Sequence, residues 1–238
     1  MPPSSTPTPD VSVVIPARNE ARYVQRALAS VAAQRWPLAR LEAIVVNNGS
    51  VDTTADVVRV FVAEQPQLAV RLLDEPVPGL ARAKNRGAGV ARGESLLFLD
   101  ADSHLAPDLV ASIVTRARQG YPAGSIAVLA DSRDWLDRGF FALMELGKRL
   151  FQIHAQMFYC ARPLFLQLGG FAEDLQLAED REFLSRLERA GVAVCHVTES
   201  HIATSPRRLH SRPFRLGMLT MFARWALAHG GIGRRWRY

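Results

Sequence analysis

Cysteine is nearly absent: Cys160 and Cys195 are the two in 238 residues. A zinc site needs more ligands at close spacing, and a secreted disulfide scaffold needs more pairs. Both cysteines follow apolar runs, Phe158-Tyr159-Cys160 and Val192-Ala193-Val194-Cys195, and read as small core residues. No apolar run reaches the length of a membrane-spanning helix, and nothing resembles a signal peptide. The expected location is therefore the cytoplasm. Acidic residues are missing from one region altogether. None follows Glu199, whereas Arg207, Arg208, Arg212, Arg215, Arg224, Arg234, Arg235 and Arg237 do. There is no internal repeat and no domain linker.

What is present suits one large domain with a short appendage: 48% of residues are hydrophobic, enough for a substantial core. The net charge is +6 and the sequence pI near 10.0, a balance that suits nucleotide diphosphates, an anionic membrane surface or nucleic acid. Residues 1–10, rich in Pro, Ser and Thr, read as a disordered lead-in.

Val11 to Ile15 is a β-branched run stopped by Pro16, and Glu20 to Ala33 carries Val24, Ala27, Leu28 and Val31 at helical spacing. Strands follow at Glu42 to Val46, Leu68 to Leu73 and Ser95 to Leu99. Helices run from the Asp52-Thr53 cap to Glu64, from Gly79 to Ala91, and onward from Pro107. This alternation predicts an α/β fold: a mostly parallel central sheet with helices on both faces. Beyond it, strands are expected at Ile126 to Ala130, Gln156 to Cys160 and Val192 to Val197, with helices at Phe140 to Ile153 and Glu179 to Ala190.

The densest chemistry is Leu96-Leu97-Phe98-Leu99-Asp100-Ala101-Asp102-Ser103, a buried strand ending in two carboxylates. Ligands of open α/β sheets bind where strands end, and two such carboxylates call for a cation, with Mg²⁺ or Mn²⁺ carrying a phosphorylated ligand the natural occupant. Asp-x-Asp also serves as ordinary helix-capping chemistry. Three further segments accompany it. Pro16-Ala17-Arg18-Asn19-Glu20 and Asn47-Asn48-Gly49-Ser50 stand at strand ends, where Asn48 suits a base edge and Glu20 a ribose hydroxyl; both also read as turn and cap chemistry. Gly79 to Gly89 combines small residues, which let a helix pack close to a ligand, with Arg82 and Lys84 near a diphosphate, or alternatively a solvated basic face. Gly169-Gly170-Phe171, mobile in appearance, leads to Glu179-Asp180 at a helix start, a place for a general base or simply for dipole-favoured acids.

Taken together, "SVVIPARNE", "VVNNGSVDTT", "GLARAKNRGAGVARGESLLFLDADS" and "GGF…AEDREFLSRL" resemble glycosyltransferase family 2, of GT-A (Rossmann-like) fold, over Val11 to Ser205. The resemblance implies a domain at residues 11–205, with a nucleotide-binding half (11–103) and an acceptor half (104–205), followed by a basic amphipathic helical segment (206–238). It implies inverting transfer from a nucleotide-diphosphate sugar. Asp180 would be the catalytic base and Glu179 its acidic neighbour. Asp102 and Asp100 would hold Mn²⁺ or Mg²⁺, with Ala101 between them at the nucleotide. Pro16, Arg18 and Glu20 would border the nucleoside, Asn48 would face the base, and Lys84 would lie near the nucleotide. Family members often carry Asp where Asn47 and Asn48 stand, which leaves uracil and guanine both open. Many also place a metal-binding His near the last strand, where His201 stands, doubtful in register; His196 reads as a core or edge histidine.

The acceptor is not legible. Residues 130–153 are a candidate acceptor wall, and Arg207 and Arg208 are candidate phosphate ligands. Phe214, Leu216, Met218, Leu219, Met221, Phe222, Trp225 and Leu227, mixed with arginines, suit an amphipathic helix on an anionic membrane or packing on the domain. Peripheral contact with the inner face of a membrane, a lipid-linked acceptor and a homodimer are the partners this composition allows. A sugar-nucleotide-forming nucleotidyltransferase would need a Gly-rich loop after the first strand, which is absent. A nucleic-acid-binding module fits the basic tail but not a cleft lined with carboxylates, so no nucleic acid is expected. A pseudo-enzyme that binds a sugar nucleotide without transfer is the remaining alternative.

Overall fold

The computed structural model describes residues 8–150, 157–175 and 179–210. One eight-stranded sheet runs through the molecule in the order β3-β2-β1-β4-β7-β6-β8-β5. Its strands are β1 (Val11–Ala17), β2 (Leu41–Asn47), β3 (Ala69–Asp74), β4 (Ser95–Phe98), β5 (Ser103–Leu105), β6 (Ala123–Ala130), β7 (Phe158–Ala161) and β8 (Val194–Thr204). The first four pair in parallel, as does β6 with β8; β7 runs antiparallel to β4 and β6, and β5 antiparallel to β8. The helices are α1 (Val24–Ala32), α2 (Thr54–Glu64), α3 (Leu80–Val90), α4 (Leu109–Arg118), α5 (Trp135–Leu150), α6 (Arg162–Gln167) and α7 (Glu179–Arg189).

Successive residues of a strand point to opposite sides, so the apolar runs of β1, β2 and β4 feed two cores. Val13, Ile15 and Val45 pack with Val24, Leu28 and Val31 of α1 and Ile113 of α4. Val14, Ile44 and Val46 pack with the alanines of α3, and with Phe98, Phe158, Phe165 and Phe183. Helices thus cover both faces of a mainly parallel sheet, as expected.

The small residues of α3 have a different cause from the one expected. A Cβ on Gly87 would lie 2.4 Å from Val14 Cγ1 and 3.2 Å from Val46 Cγ2. They let the helix approach the sheet, not a ligand. Pro16 does not stop β1 either. The β1–β4 register ends at Val14 opposite Phe98, with Leu99 N–H donating to Val14 O. The proline nitrogen therefore faces a side where no partner strand continues, and its missing N–H costs no ladder bond. Asp10, the last residue of the expected lead-in, is buried and accepts from Trp36 Nε1 (2.8 Å) and from Arg40; residues 1–7 lie outside the described residues.

Two strands and a helix depart from the sequence reading: β5 and α6 have no counterpart in it, and β8 is longer than expected. β5 is only three residues long, and α6 is a six-residue helix. β8 runs well past Val197, because a bulge between Ile126 and Ala127 absorbs the polar residues 198–200 before pairing resumes at His201.

At the sheet edge away from the acidic motifs, Glu42 is fully buried. It accepts from Ser12 Oγ (2.6 Å), Arg92 N (2.6 Å) and Arg71 Nη2 (2.9 Å). Burial opposes its charge, but these donors and the two guanidinium groups hold its carboxyl below the usual range. Glu42→Ala leaves the cations and Ser12 without their acceptor and should destabilise the fold by about 3 kcal/mol in urea denaturation. The wild-type contribution is present above the unfolded pKa of a glutamate and lost as pH falls through the lower folded value. A variant as stable as wild type at pH 7 would count against this role.

Candidate functional site

The carboxyl ends of β1, β2 and β4 share one edge, and their loops are laced to each other. Asn19 adopts φ 56°, a left-handed conformation that Asn tolerates better than most residues. In that pose its N–H donates to Ser50 Oγ (3.0 Å) and its Oδ1 accepts from Val51 N (2.9 Å). Glu20 N donates to Thr54 Oγ1 (2.8 Å), and Asp52 accepts from Thr54 N and Ala21 N. Thr54 above all holds the Asp52 carboxyl below its usual range. The lacing fixes where the Glu20 side chain points.

Glu20 meets Arg207. The guanidinium takes both Glu20 oxygens, stacks 4.7 Å from the Tyr23 ring centroid, and sends Nε to Asp102 Oδ2 at 2.8 Å. Its approach is set by backbone: Ser205 N donates to Asp102 O (3.1 Å), and Ser103 Oγ bonds Thr204 Oγ1 (2.8 Å). Asp100 lies deeper. Burial raises its pKa, Asp102 and Glu179 add to the rise, and Lys84 and Arg208 oppose it.

Lys84 of α3 reaches the acidic pair at the head of α7. Its ammonium donates to Glu179 Oε1 (2.9 Å) and Asp180 Oδ1 (2.6 Å), and lies 5.1 Å from the Phe171 ring centroid. The lysine side chain is only 4% exposed. Burial alone would lower its pKa, but the charges of Asp180, Glu179 and Asp100 raise it and keep it an ammonium. Burial pushes the Asp180 carboxyl up to about 7, with Lys84 pulling it only partly back. Asp180 and Asp100 thus belong to one charged cluster, with Lys84 between them.

An aromatic group seats this cluster. Phe98, at the end of β4, lies 5.0–5.2 Å from Phe158, Phe165 and Phe171, and Phe183 of α7 stacks on Phe158 at 5.7 Å. Residues 169–171, mobile in the sequence reading, are clamped instead. Asn85 Oδ1 accepts from Phe171 N, and its amide donates to Phe171 O, both at 2.9 Å. Gly170 has φ 68°, and a Cβ there would lie 2.6 Å from Asn85 Oδ1.

Asp100, Ala101, Asp102, Glu179, Asp180, Lys84 and Glu20 are therefore brought together, and Pro16 and the exposed Arg18 stand at the adjoining end of β1. Lys84 is committed to the acidic pair rather than open to a diphosphate. Arg82 pairs with Glu173 at 3.0 Å, away from the carboxylates. Asn48 does not face a base. Its amide donates to Glu75 O and Val77 O, and its Oδ1 accepts from Gly79 N, so the 75–79 loop saturates it. Its neighbour Asn47 donates to Asp74 Oδ1 (2.9 Å), while its own buried Oδ1 has no partner among the described residues. His201 pairs with Ala127 in the middle of β8, four residues before Ser205, and its ring interacts with that of His104. Among the described residues no hydrogen bond joins it to Asp100 or Asp102. His196 bridges Ser125 Oγ (2.8 Å) and Glu145 (3.2 Å), a structural histidine. Phe214 to Leu227 lies outside the described residues.

The glycosyl transferase family 2 pattern matches residues 12–161. The chain belongs to glycosyl transferase family 2. An uncharacterized glycosyltransferase of Mycobacterium tuberculosis is 33% identical over 189 residues, 76% of this chain and 70% of that protein. Chondroitin synthase of Pasteurella multocida is 31% identical over 196 residues, 77% of this chain but only 19% of the synthase's own length. S. aureus TarS, solved in complex with UDP-GlcNAc, aligns with TM-score 0.69 at 19% identity over 82% of this chain and 58% of that one. Mannosyltransferase PcManGT from Pyrobaculum calidifontis, in complex with GDP-Man and Mn2+, aligns with TM-score 0.69 at 24% identity over 92% and 65%. The fold of this family 2 domain is GT-A.

The donor set of this domain fits a divalent cation. Glu20, Asp100, Asp102, Glu179 and Asp180 face three cations, Lys84, Arg207 and Arg208, and the surplus negative charge adds to burial in raising Asp100 and Asp180. Among the described residues no three His, Cys, Asp or Glu side chains converge on one point.

Removing the lysine tests the cluster directly. Lys84→Met strands two buried carboxylates and should cost about 3 kcal/mol at pH 8. The loss should shrink at pH 5, where the carboxylates take up protons. Equal losses at both pH values in chemical denaturation would refute the pairing.

Proposed function

We propose that this domain transfers a sugar from a nucleotide-diphosphate donor to an acceptor hydroxyl with inversion, using Asp180 as general base. The observation that carries the reading is the buried cluster linking Asp180, through Lys84, to the carboxylates at the end of β4. A carboxyl near pKa 7 is unprotonated for about half the molecules at neutral pH, which suits proton abstraction. The acceptor hydroxyl gives its proton to Asp180 while its oxygen bonds the anomeric carbon. The bond from that carbon to the diphosphate breaks, and its electron pair leaves on the phosphate oxygen. A single displacement of this kind inverts the centre.

Asp102 and Asp100 would hold Mg²⁺ or Mn²⁺, which supplies Lewis-acid stabilisation of the leaving diphosphate. For Asp102 to serve, Arg207 must give up its bond to Oδ2. The released guanidinium has fork geometry for phosphate oxygens, and Arg208 stands beside it. Glu20, whose two oxygens the same release of Arg207 would free, would accept from ribose hydroxyls. Asn47 Oδ1, buried and unpartnered, suits a base N–H better than Asn48 does. The donors named for similar structures, UDP-GlcNAc and GDP-Man, support a nucleotide-sugar class without selecting one.

Asp180→Asn should lower turnover about 10²–10⁴-fold with nucleotide affinity retained, and wild-type kcat/KM should fall as pH drops below about 7. Near-wild-type turnover in the variant would sink the assignment. Binding is tested separately by melting with nucleoside diphosphates and Mn²⁺. A ligand at a hundred times its Kd should stabilise by about 2.7 kcal/mol. Arg207→Gln should weaken that binding about tenfold. If no diphosphate moves the wild-type transition, the nucleotide reading fails.

A further inference from the structure

α5 carries an apolar stripe that nothing in the described structure covers. Leu136, Leu143, Leu146 and Leu150 are exposed, Leu143 by 64% and Leu150 by 69%, and Trp135 at the helix start by 76%. Spacings of seven, three and four residues at 3.6 per turn put the four leucines on one side of the helix. The opposite side packs on the sheet through Phe141 and through Lys148 and Glu145, which pair at 2.6 Å.

The border of the stripe is basic. Arg138 and Arg149 lie eleven residues apart, three turns, so they line up along one margin, and Arg133 stands in the preceding loop. All three are exposed, and no ion pair of theirs occurs among the described residues. The acidic side chains of α5 point elsewhere: Asp137 is buried against His210 (2.9 Å), and Glu145 holds Lys148 and His196. Asp134, half-buried at the helix start, accepts from Leu136 N (2.8 Å). An apolar stripe with an arginine margin and a tryptophan at one end matches an interface that is apolar inside and anionic at its surface. A second copy of this chain would bring the same arginines into opposition. The segment after His210 adds more arginines and no acid.

We propose that the exposed side of α5 lies on an anionic lipid bilayer surface. The helix is not a membrane span; no described helix is long and apolar enough to cross one. Its place is next to the candidate site. Asp131 N donates to Thr204 O, Ser205 N donates to Asp102 O, and His210 returns to Asp137 in the first turn of α5. A bilayer under α5 therefore runs beside the wall on which Arg207 meets Asp102. If the transfer reading holds, an acceptor presented from the lipid surface enters there; the surface itself does not depend on that reading.

The test is co-sedimentation of the full chain with vesicles of phosphatidylcholine alone and of phosphatidylcholine with phosphatidylglycerol. The wild type should bind the anionic vesicles and lose binding at high salt. Leu143→Gln/Leu146→Gln should reduce binding at least tenfold. Arg138→Gln/Arg149→Gln should reduce it about fivefold per arginine. Melting shifts with nucleoside diphosphates should be unchanged in both, which separates this surface from the nucleotide site. Wild-type failure to bind anionic vesicles overturns the proposal. So does undiminished binding by the folded leucine variant, which assigns the contact to the segment after His210. So does a wild-type dimer in sedimentation that the leucine variant dissolves, which assigns the stripe to a second copy. A leucine variant that melts far below wild type also overturns it, because the stripe is then covered by the chain itself.

Discussion

The contact of Lys84 with Glu179 and Asp180 is the interaction on which the site depends. It joins α3, between β3 and β4, to α7, on the far side of the strands that reverse direction. A buried ammonium and two buried carboxylates are costly to desolvate, and the arrangement survives only where the geometry satisfies all three. That requirement fixes where α7 begins. Gly87 lets α3 sit deep enough for the lysine to reach, and the Phe98, Phe158, Phe171 and Phe183 group sets the height of the facing helix.

The same edge holds a second, independent tether. Arg207 ties the segment after β8 to Asp102 and Glu20, and thus to the ends of β4 and β1. The two tethers differ in character. Lys84 is enclosed and compensated on all sides, so it acts as a fixed part of the frame. Arg207 is about one-third exposed and reaches its carboxylates from the solvent side, so its contacts are the more easily exchanged. Asp100 shares this edge, and burial raises its pKa even though Lys84 and Arg208 oppose the rise.

Much of this was legible in the sequence because buried parallel strands are continuous apolar runs and the α1 and α7 stripes repeat at helical spacing. Val24, Ala27, Leu28 and Val31 are buried as the spacing requires, and so are Phe183, Leu184 and Leu187. The misses have physical causes. β5 and α6 are too short to show a period, and the bulge in β8 hides the strand's second half behind polar residues. Pro16 misled because its effect depends on whether a neighbouring strand continues, a tertiary fact. Asn48 misled because an amide serves a base edge and a loop backbone equally well; only the position of residues 75–79 decides. Lys84 was placed at the correct edge, yet which anion claims it depends on a helix that begins 95 residues later.

The excess of arginine after Glu199 gains a partial explanation from the first residues of that region. Arg207 is no solvated side chain, since it bridges two carboxylates, and the exposed Arg208 adds a positive charge that opposes the rise at Asp100. Five carboxylates gathered at one sheet edge require cations nearby, and Lys84 and Arg207 supply them. The arginines of α5 form no ion pair among the described residues. Charge that is neither neutralised within the fold nor spread evenly over its surface selects what the surface can meet. Here that selection and the exposed leucines beside it point the same way, toward a partner apolar within and negative at its boundary.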